Sequence, residues 1–147
     1  MFHFFIKKSM KSLQINIIAV IVLAVAHQIT NFGWYTLAGQ DWMTLSNLTM
    51  QQVEANQSAV PYLFSMLAAF LACWMLAWLF VQLKVETPMQ GIIYAVSFYG
   101  CFLFFQVMTK DMFQLHPFRL TLINEGINFI NFAISGAVLG AWRKYTA

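Results

Sequence analysis

The chain has 147 residues and a net charge of +3, but only 9% of its residues are charged and 61% are hydrophobic. A soluble domain carries about 25% charged residues, so this composition excludes a water-exposed globular surface and predicts that the solvent is lipid. The length allows roughly four membrane-spanning helices and leaves no room for a separate soluble domain. We therefore predict a single membrane domain over residues 1–147.

Four apolar segments follow one another along the chain. They cover residues 13–34, 60–83, 89–108 and 120–142. Each has roughly the 20 residues that a helix needs to cross a hydrocarbon layer. Lipid offers no hydrogen-bond partner to an open backbone, so each segment must be helical. The predicted fold class is an all-α integral membrane protein with four transmembrane helices in a compact bundle.

The connections between these spans differ in length. Residues 35–59 are predicted as the one long outer loop, in which "LTMQQVEANQSA" has the pattern of a short amphipathic helix at the interface. Pro88 suits the first turn of the third span. His116-Pro117 ends any helix before the fourth span.

Basic residues predict the orientation, because cytoplasmic loops carry an excess of Lys and Arg. One side of the predicted topology holds Lys7, Lys8, Lys11, Lys84, Arg143 and Lys144; the other holds Lys110 and Arg119. An even number of spans places both termini together, so both are predicted to be cytoplasmic. The alternative is a signal peptide cleaved after Ala26, since a basic start and an apolar run precede Ala24-Val25-Ala26.

The fourth span carries two distinct faces at 100° per residue. Its polar stripe consists of Asn124, Asn128, Asn131 and Ser135. The roughly opposite face contains Gly136 and Gly140, a G-x-x-x-G spacing that lets two helix backbones approach closely. We expect this glycine face to pack tightly against a helix, and it is a candidate surface for a homo-oligomer.

Polar residues of three spans are predicted to meet in the outer half of the bundle. The first span has a polar edge with Asn16, His27, Thr30 and Asn31, and Glu125 lies about 9 Å below the outer end of the fourth span. The candidate site residues at this depth are His27, Asn31, Gln106, Asn124, Glu125 and Asn128.

Two interpretations of this set stay open. An ionisable group near the membrane centre costs at least about 2.5 kcal/mol and usually faces a bundle interior or a wet cavity, which favours a polar ligand pocket or a proton-linked site. Alternatively, Asn, Gln and His join helices by hydrogen bonds worth about 0.6 to 2 kcal/mol each, and Glu125 pairs with Arg119 or Lys110. The six residues therefore either line a pocket or form a seam, by which we mean a hydrogen-bonded contact between helices.

Sequence motifs for catalysis or metal binding are absent. The chain contains no H-E-x-x-H, C-x-x-C, G-x-S-x-G or P-loop pattern. His3 is predicted on the side opposite to His27 and His116, so the three histidines do not form one metal site. Cys73 and Cys101 lie in apolar runs and are predicted to fill space. We expect no enzyme activity, no cofactor, no metal and no nucleic-acid partner; the expected partner is the lipid bilayer.

Two stretches resemble a known family. "FGWYTLAGQDWMTLSNLT" (residues 32–49) and "PFRLTLINEGINFINFAISGAVLGAWRK" (residues 117–144) are similar to the end of the first span and to the last span of domain-of-unknown-function family 1761. The resemblance covers about Asn16 to Arg143. It implies a four-helix, bacterial-type integral membrane protein without an assigned activity, and it argues against cleavage after Ala26. It also implies that Asn124 is shared by members of the family, whereas the position of Glu125 is commonly occupied by a small residue.

These observations lead to one expected function and its alternative. The first is a non-catalytic structural or accessory protein of the bacterial inner (plasma) membrane. The alternative is a small transporter-like carrier with a polar pocket in the outer half of the bundle. A membrane enzyme acting on a lipid has less support, because the sequence shows no paired catalytic carboxylates.

Overall fold

The computed structural model of the protein describes residues 13–145. The elements in chain order are β1 (Leu13–Gln14), α1 (Ile17–Leu45), α2 (Met50–Ala55), α3 (Val60–Gln82), α4 (Pro88–Tyr99), a π-helical turn (Gly100–Phe104), α5 (Phe105–Phe113), α6 (Phe118–Ala141) and β2 (Lys144–Tyr145). The α4 helix, the π-helical turn and α5 are continuous and form one span, Pro88–Phe113. Four helices of the described chain are thus long and apolar enough to cross a membrane, which confirms the predicted fold class.

Side-chain caps fix several helix starts. The side chain of Asn16 accepts a hydrogen bond from the Ala19 amide and so caps α1. Thr87 caps α4 in the same way, and Pro88 occupies the first helical position, where its missing N–H has no cost. Thr49 forms a capping box with Gln52 at the start of α2, which confirms the short helix predicted within the long connection.

The first helix is longer than predicted. It continues to Leu45, so residues 35–45, which we expected in the outer loop, are helical. No proline interrupts this segment, and several of its polar side chains find partners within the helix or on α6. The Thr44 hydroxyl, for example, donates to the Gln40 carbonyl, and Asp41 pairs with Arg119 at the start of α6 at 2.5 Å. The helix therefore extends past the point where the sequence stops being apolar.

The two ends of the described chain lie on the same side of the bundle. Leu13 pairs with Tyr145 and Gln14 with Lys144 in a two-residue antiparallel ladder. We call this side of the bundle the terminal end and the opposite side the distal end. Lys84, Arg143 and Lys144 lie at the terminal end, and Lys110 and Arg119 lie at the distal end. Lys7, Lys8 and Lys11, on which the orientation also depends, lie outside the described residues.

Apolar side chains close the half of the bundle nearer the terminal end. The buried residues there and in the middle include Ala19, Val20 and Leu23 of α1, Leu76, Ala77 and Phe80 of α3, and Leu139 of α6. The α6 helix is the most deeply buried of the four spans and packs against α1, α3, α4 and α5. The polar residues of its sequence are consequently surrounded by other helices.

The glycine face of α6 packs against α4 of the same chain. A β-carbon on Gly140 would lie 2.7 Å from the Thr87 carbonyl oxygen, and one on Gly136 would lie 2.9 Å from Cβ of Ala95 and closer still to the Gly91 backbone. The backbones thus touch, as the G-x-x-x-G spacing predicts. The Gly136/Gly140 face, named above as a candidate surface for a homo-oligomer, is therefore covered by α4 of the same chain.

Candidate ligand-binding cleft

A ladder of hydrogen bonds joins the antiparallel helices α1 and α6. Near the middle of the bundle, Nε2 of His27 lies 2.8 Å from Oγ of Ser135. One turn further towards the distal end, the Thr30 hydroxyl donates to Oδ1 of Asn131 at 2.5 Å. Nδ2 of Asn131 in turn donates to Oδ1 of Asn31 at 2.9 Å. These polar residues are therefore hydrogen-bonded between α1 and α6, so this part of the predicted set is a seam and not a pocket.

The ladder continues to the distal end of the two helices. The indole N–H of Trp34 donates to the Ile123 carbonyl at 2.9 Å. The Tyr35 hydroxyl donates to Oδ1 of Asn124 at 3.3 Å. The polar edge of α1 therefore faces α6 from the His27–Ser135 contact to the Tyr35–Asn124 contact, which holds the two spans in one register.

Cys73 joins this seam from α3. Its Sγ lies 3.6 Å from Oγ of Ser135 and 3.9 Å from Nε2 of His27, and all three residues are buried. Three helices thus meet at one small polar cluster in the middle of the bundle. This role of Cys73 differs from the predicted filling of space, because a cysteine within an apolar run of the sequence carries no signal of the partner that faces it.

A cleft of about 440 Å³ lies at the distal end, between α1, α3, α5 and α6. Its lining residues are Asn31, Tyr35, Ser65, Val107, Lys110, Asp111, Asn124, Glu125, Ile127 and Asn128. Only Val107 and Ile127 among them are apolar. The distal end is therefore polar and open, whereas the terminal half of the bundle is apolar and closed.

Glu125 is buried in the wall of this cleft, with 8% of its surface exposed. Its Oε2 accepts hydrogen bonds from the Tyr99 hydroxyl and, at 3.2 Å, from Nδ2 of Asn128. The Tyr99 ring is fixed by packing against Phe129 and Phe132, each with a centroid distance of 4.7 Å. A tyrosine from α4 therefore orients the carboxylate.

The basic residues considered as partners of Glu125 are engaged elsewhere. Arg119 pairs with Asp41 at 2.5 Å, and Nζ of Lys110 lies 4.0 Å from Oδ1 of Asp111. No ion pair of Glu125 occurs among residues 13–145. The expected pairing with Arg119 or Lys110 is thus replaced by the contact with Tyr99.

Asp111 is a second buried carboxylate of the cleft and was not among the predicted site residues. It is 4% exposed, and its Oδ2 accepts a hydrogen bond from the Thr121 hydroxyl at 2.7 Å. Its Oδ1 lies 3.8 Å from Nδ1 of His116 and 4.0 Å from Nζ of Lys110. The sequence places Asp111 next to a polar connection, where a carboxylate is ordinarily solvated, so its burial depends on how α5 meets α6.

The structure separates the six candidate site residues into three groups. Asn31, Asn124, Glu125 and Asn128 line the cleft. His27 belongs to the seam below it. Gln106 is exposed on α5 and does not line the cleft, which corrects its place in the candidate set. The π-helical turn inserts one residue before α5 and rotates that helix relative to α4, so that Val107 rather than Gln106 faces the cleft.

The chemistry of the cleft is that of a binding site with acceptors and donors on its walls. Within the described residues, no group of three or more His, Cys, Asp or Glu side chains is placed to hold a metal ion. His3, considered earlier as a ligand, lies outside the described residues. Glu125 offers one carboxylate oxygen without a described donor, and the asparagines and Tyr35 offer neutral polar groups.

The comparisons with known proteins give one match. The sequence pattern of a family described as "Protein of unknown function (DUF1761)" matches residues 18–140. No curated protein and no solved structure matches the chain. The match covers the helices that build both the seam and the cleft.

Proposed function

The chain belongs to the DUF1761 family of proteins of unknown function, and because this family description assigns no activity, we propose a function from the geometry of the cleft. The proposal is a non-catalytic, carrier-like membrane protein whose distal cleft binds a small polar molecule. The observation that supports it is the open cleft of about 440 Å³ with eight polar or ionisable lining residues. Ligand sites commonly measure about 300–1,000 Å³.

The two unequal halves of the bundle support a carrier rather than a pore. A carrier opens its binding site to one side of the membrane at a time. The distal half is open and polar, while Val20, Leu23, Phe80 and Leu139 close the other half with buried apolar side chains. This arrangement corresponds to a carrier that is open on its distal side only.

The expected structural or accessory role is the second candidate. The observation that favours it is the α1–α6 ladder, in which His27, Asn31 and Asn131 act as interhelical links. In that case the cleft is a hydrated gap without a ligand. For both candidates we propose the plasma membrane of a bacterium as the location, with the terminal end in the cytoplasm, lipid as the surrounding partner, and any homo-oligomer formed through a surface other than the Gly136/Gly140 face.

Water access to the cleft tests the proposal. Ser65→Cys places a nearly isosteric thiol in the cleft wall, and Ser97→Cys places one on an exposed position of α4 outside it. Both are made in a Cys101→Ala background, because Cys101 is exposed and Cys73 is buried. A membrane-impermeant thiol reagent is applied to proteoliposomes.

We expect Ser65→Cys to react rapidly from the distal side and Ser97→Cys, which faces lipid, to react slowly. Ser65→Cys labelling at a rate no higher than that of Ser97→Cys would show that the cleft is closed to water. The carrier proposal would then fail, and the structural role would be the better account.

A further inference from the structure

We propose that the cleft binds a small organic cation, whose ammonium group contacts the carboxylate of Glu125. This inference rests on the proposed function, because it requires that the cleft takes up a ligand. It adds the chemical class of that ligand and the residue that recognises its charge.

Glu125 has a carboxylate that no cationic side chain of residues 13–145 pairs with. Its residue surface is only 8% exposed, and no Lys, Arg or His of residues 13–145 comes within 4.0 Å of its carboxylate. Both hydrogen bonds that the described chain donates to Glu125 end on Oε2, which leaves Oε1 without a described donor in a residue that lines the cleft. A buried carboxylate without a cationic partner is costly inside a membrane, so a cation that enters the cleft removes that cost.

Lys110, the lysine among the described lining residues of the cleft, is exposed to solvent and lies near a carboxylate of its own. The Lys110 side chain is 64% exposed, and its Nζ lies 4.0 Å from Asp111. Asp111 also lies 3.8 Å from Nδ1 of His116. Among the described residues, these contacts leave Glu125 as the unpaired charge of the cleft wall, so an anionic ligand would be repelled there.

The volume of the cleft exceeds what a bare inorganic ion requires. One water molecule takes up about 30 Å³ of liquid volume, so a bare inorganic ion would leave most of the 440 Å³ cleft unfilled. The rest of the wall is formed by neutral polar groups such as Asn31, Asn124 and Asn128, together with the aromatic ring of Tyr35. Amides suit the polar body of an organic molecule, and an aromatic face attracts ammonium groups.

Charge-selective labelling of Ser65→Cys in the Cys101→Ala background tests the ligand class. A cationic methanethiosulfonate with a trimethylammonium group is compared with the anionic sulfonate analogue, and each rate is divided by its rate with a free thiol in solution. We expect the cationic reagent to be favoured about tenfold, because a cleft whose lining has a net negative charge concentrates cations by this order. Glu125→Gln removes the charge and keeps the hydrogen-bond acceptor, so it should abolish the preference.

Two variants make this result specific. Glu125→Asp retains the charge and should retain the preference, which guards against a Glu125→Gln protein that is merely misfolded. Glu54→Gln removes a carboxylate that is exposed on α2 and should leave the preference unchanged. Equal rates for the two reagents, or a preference that persists in Glu125→Gln, would overturn the proposal.

Protection experiments then identify the source of the ammonium group. Propylammonium and ethanolammonium should slow the labelling of Ser65→Cys, whereas 1-propanol and propionate should not. Protection by phosphatidylethanolamine bilayers, compared with pure phosphatidylglycerol, would assign the same chemistry to a lipid headgroup instead of a free amine. Protection by propionate or propanol alone would refute the cation while leaving a ligand-binding cleft, and a Ser65→Cys that never reacts would refute the cleft itself.

Discussion

At the residue scale, the Tyr99 hydroxyl explains how Glu125 is held in an apolar bundle. Tyr99 is 2% exposed, and its hydroxyl donates to Oε2 of Glu125. Hydrogen bonds to charged groups are worth about 1.5 to 3 kcal/mol. The orientation of Glu125 towards the cleft therefore depends on a residue from another helix.

Replacing this tyrosine gives a direct prediction. Tyr99→Phe keeps the ring packing against Phe129 and Phe132 but removes the donor. We expect the free energy of unfolding to fall by about 1–3 kcal/mol, measured by thermal unfolding in detergent. Tyr94→Phe, at an exposed position of the same helix, serves as the control and should change little. Equal effects of the two variants would contradict the role of Tyr99.

The sequence predicted the asparagines of α6 better than it predicted their partners. Asn124, Asn128 and Asn131 are recognisable because amides are rare in an apolar helix and because their spacing places them on one face. Tyr99 is one of many aromatic residues of the chain, and Asp111 lies in the sequence beside a polar connection, where a carboxylate is ordinarily solvated. Their positions depend on how far α4 and α5 are rotated against α6, which the sequence pattern of a single helix does not determine.

At the element scale, the α4–α6 contact is the tightest helix pair of the described chain. Gly91 on α4 and Gly136 on α6 face each other, and neither has room for a β-carbon, because the opposing backbone occupies that space. The G-x-x-x-G spacing predicted this closeness, but it did not predict which helix is the partner. The partner is α4 of the same chain, because Gly91 has no side chain and so leaves space for the backbone of α6.

This contact makes the smallest possible substitution informative. Gly136→Ala should force α4 and α6 apart and lower the free energy of unfolding by about 1–3 kcal/mol or more. Gly33→Ala is the matched control, because nothing lies within 4 Å of the added carbon and alanine favours a helix. Gly33→Ala should therefore be neutral or slightly stabilising, as judged by thermal unfolding. A Gly136→Ala protein as stable as Gly33→Ala would show that the two helices are not in contact.

The ends of the helices are also predicted incompletely from the sequence. The end of α1 was predicted at Trp34, where the apolar run stops, but the helix continues to Leu45. Hydropathy reports where lipid contact ends and does not report where the backbone stops being helical. Contacts such as the Asp41–Arg119 pair support the extension, and they are visible only when α1 and α6 are placed together.

At the scale of the whole molecule, the number of spans and the pairing of the two chain ends constrain the topology. Because β1 and β2 pair, the first span begins and the last span ends on the same side of the bundle. The connections between the spans therefore lie alternately at the distal and the terminal end. The sequence could predict this arrangement from the count of apolar segments alone. The sequence also predicts which end of the bundle faces the cytoplasm, because the basic residues of the described chain are more numerous at the terminal end, where Lys84, Arg143 and Lys144 lie.

Single-cysteine labelling checks that orientation. Gln57→Cys lies in the exposed connection between α2 and α3 at the distal end, and Lys84→Cys lies between α3 and α4 at the terminal end. In intact cells with the Cys101→Ala background, an impermeant reagent should label Gln57→Cys only, because the positive-inside rule places the terminal end in the cytoplasm. After the membrane is opened, both should react. Labelling of Lys84→Cys alone in intact cells would invert the orientation, and the cleft lined by Glu125 would then open towards the cytoplasm, so that its ligand would be drawn from inside the cell.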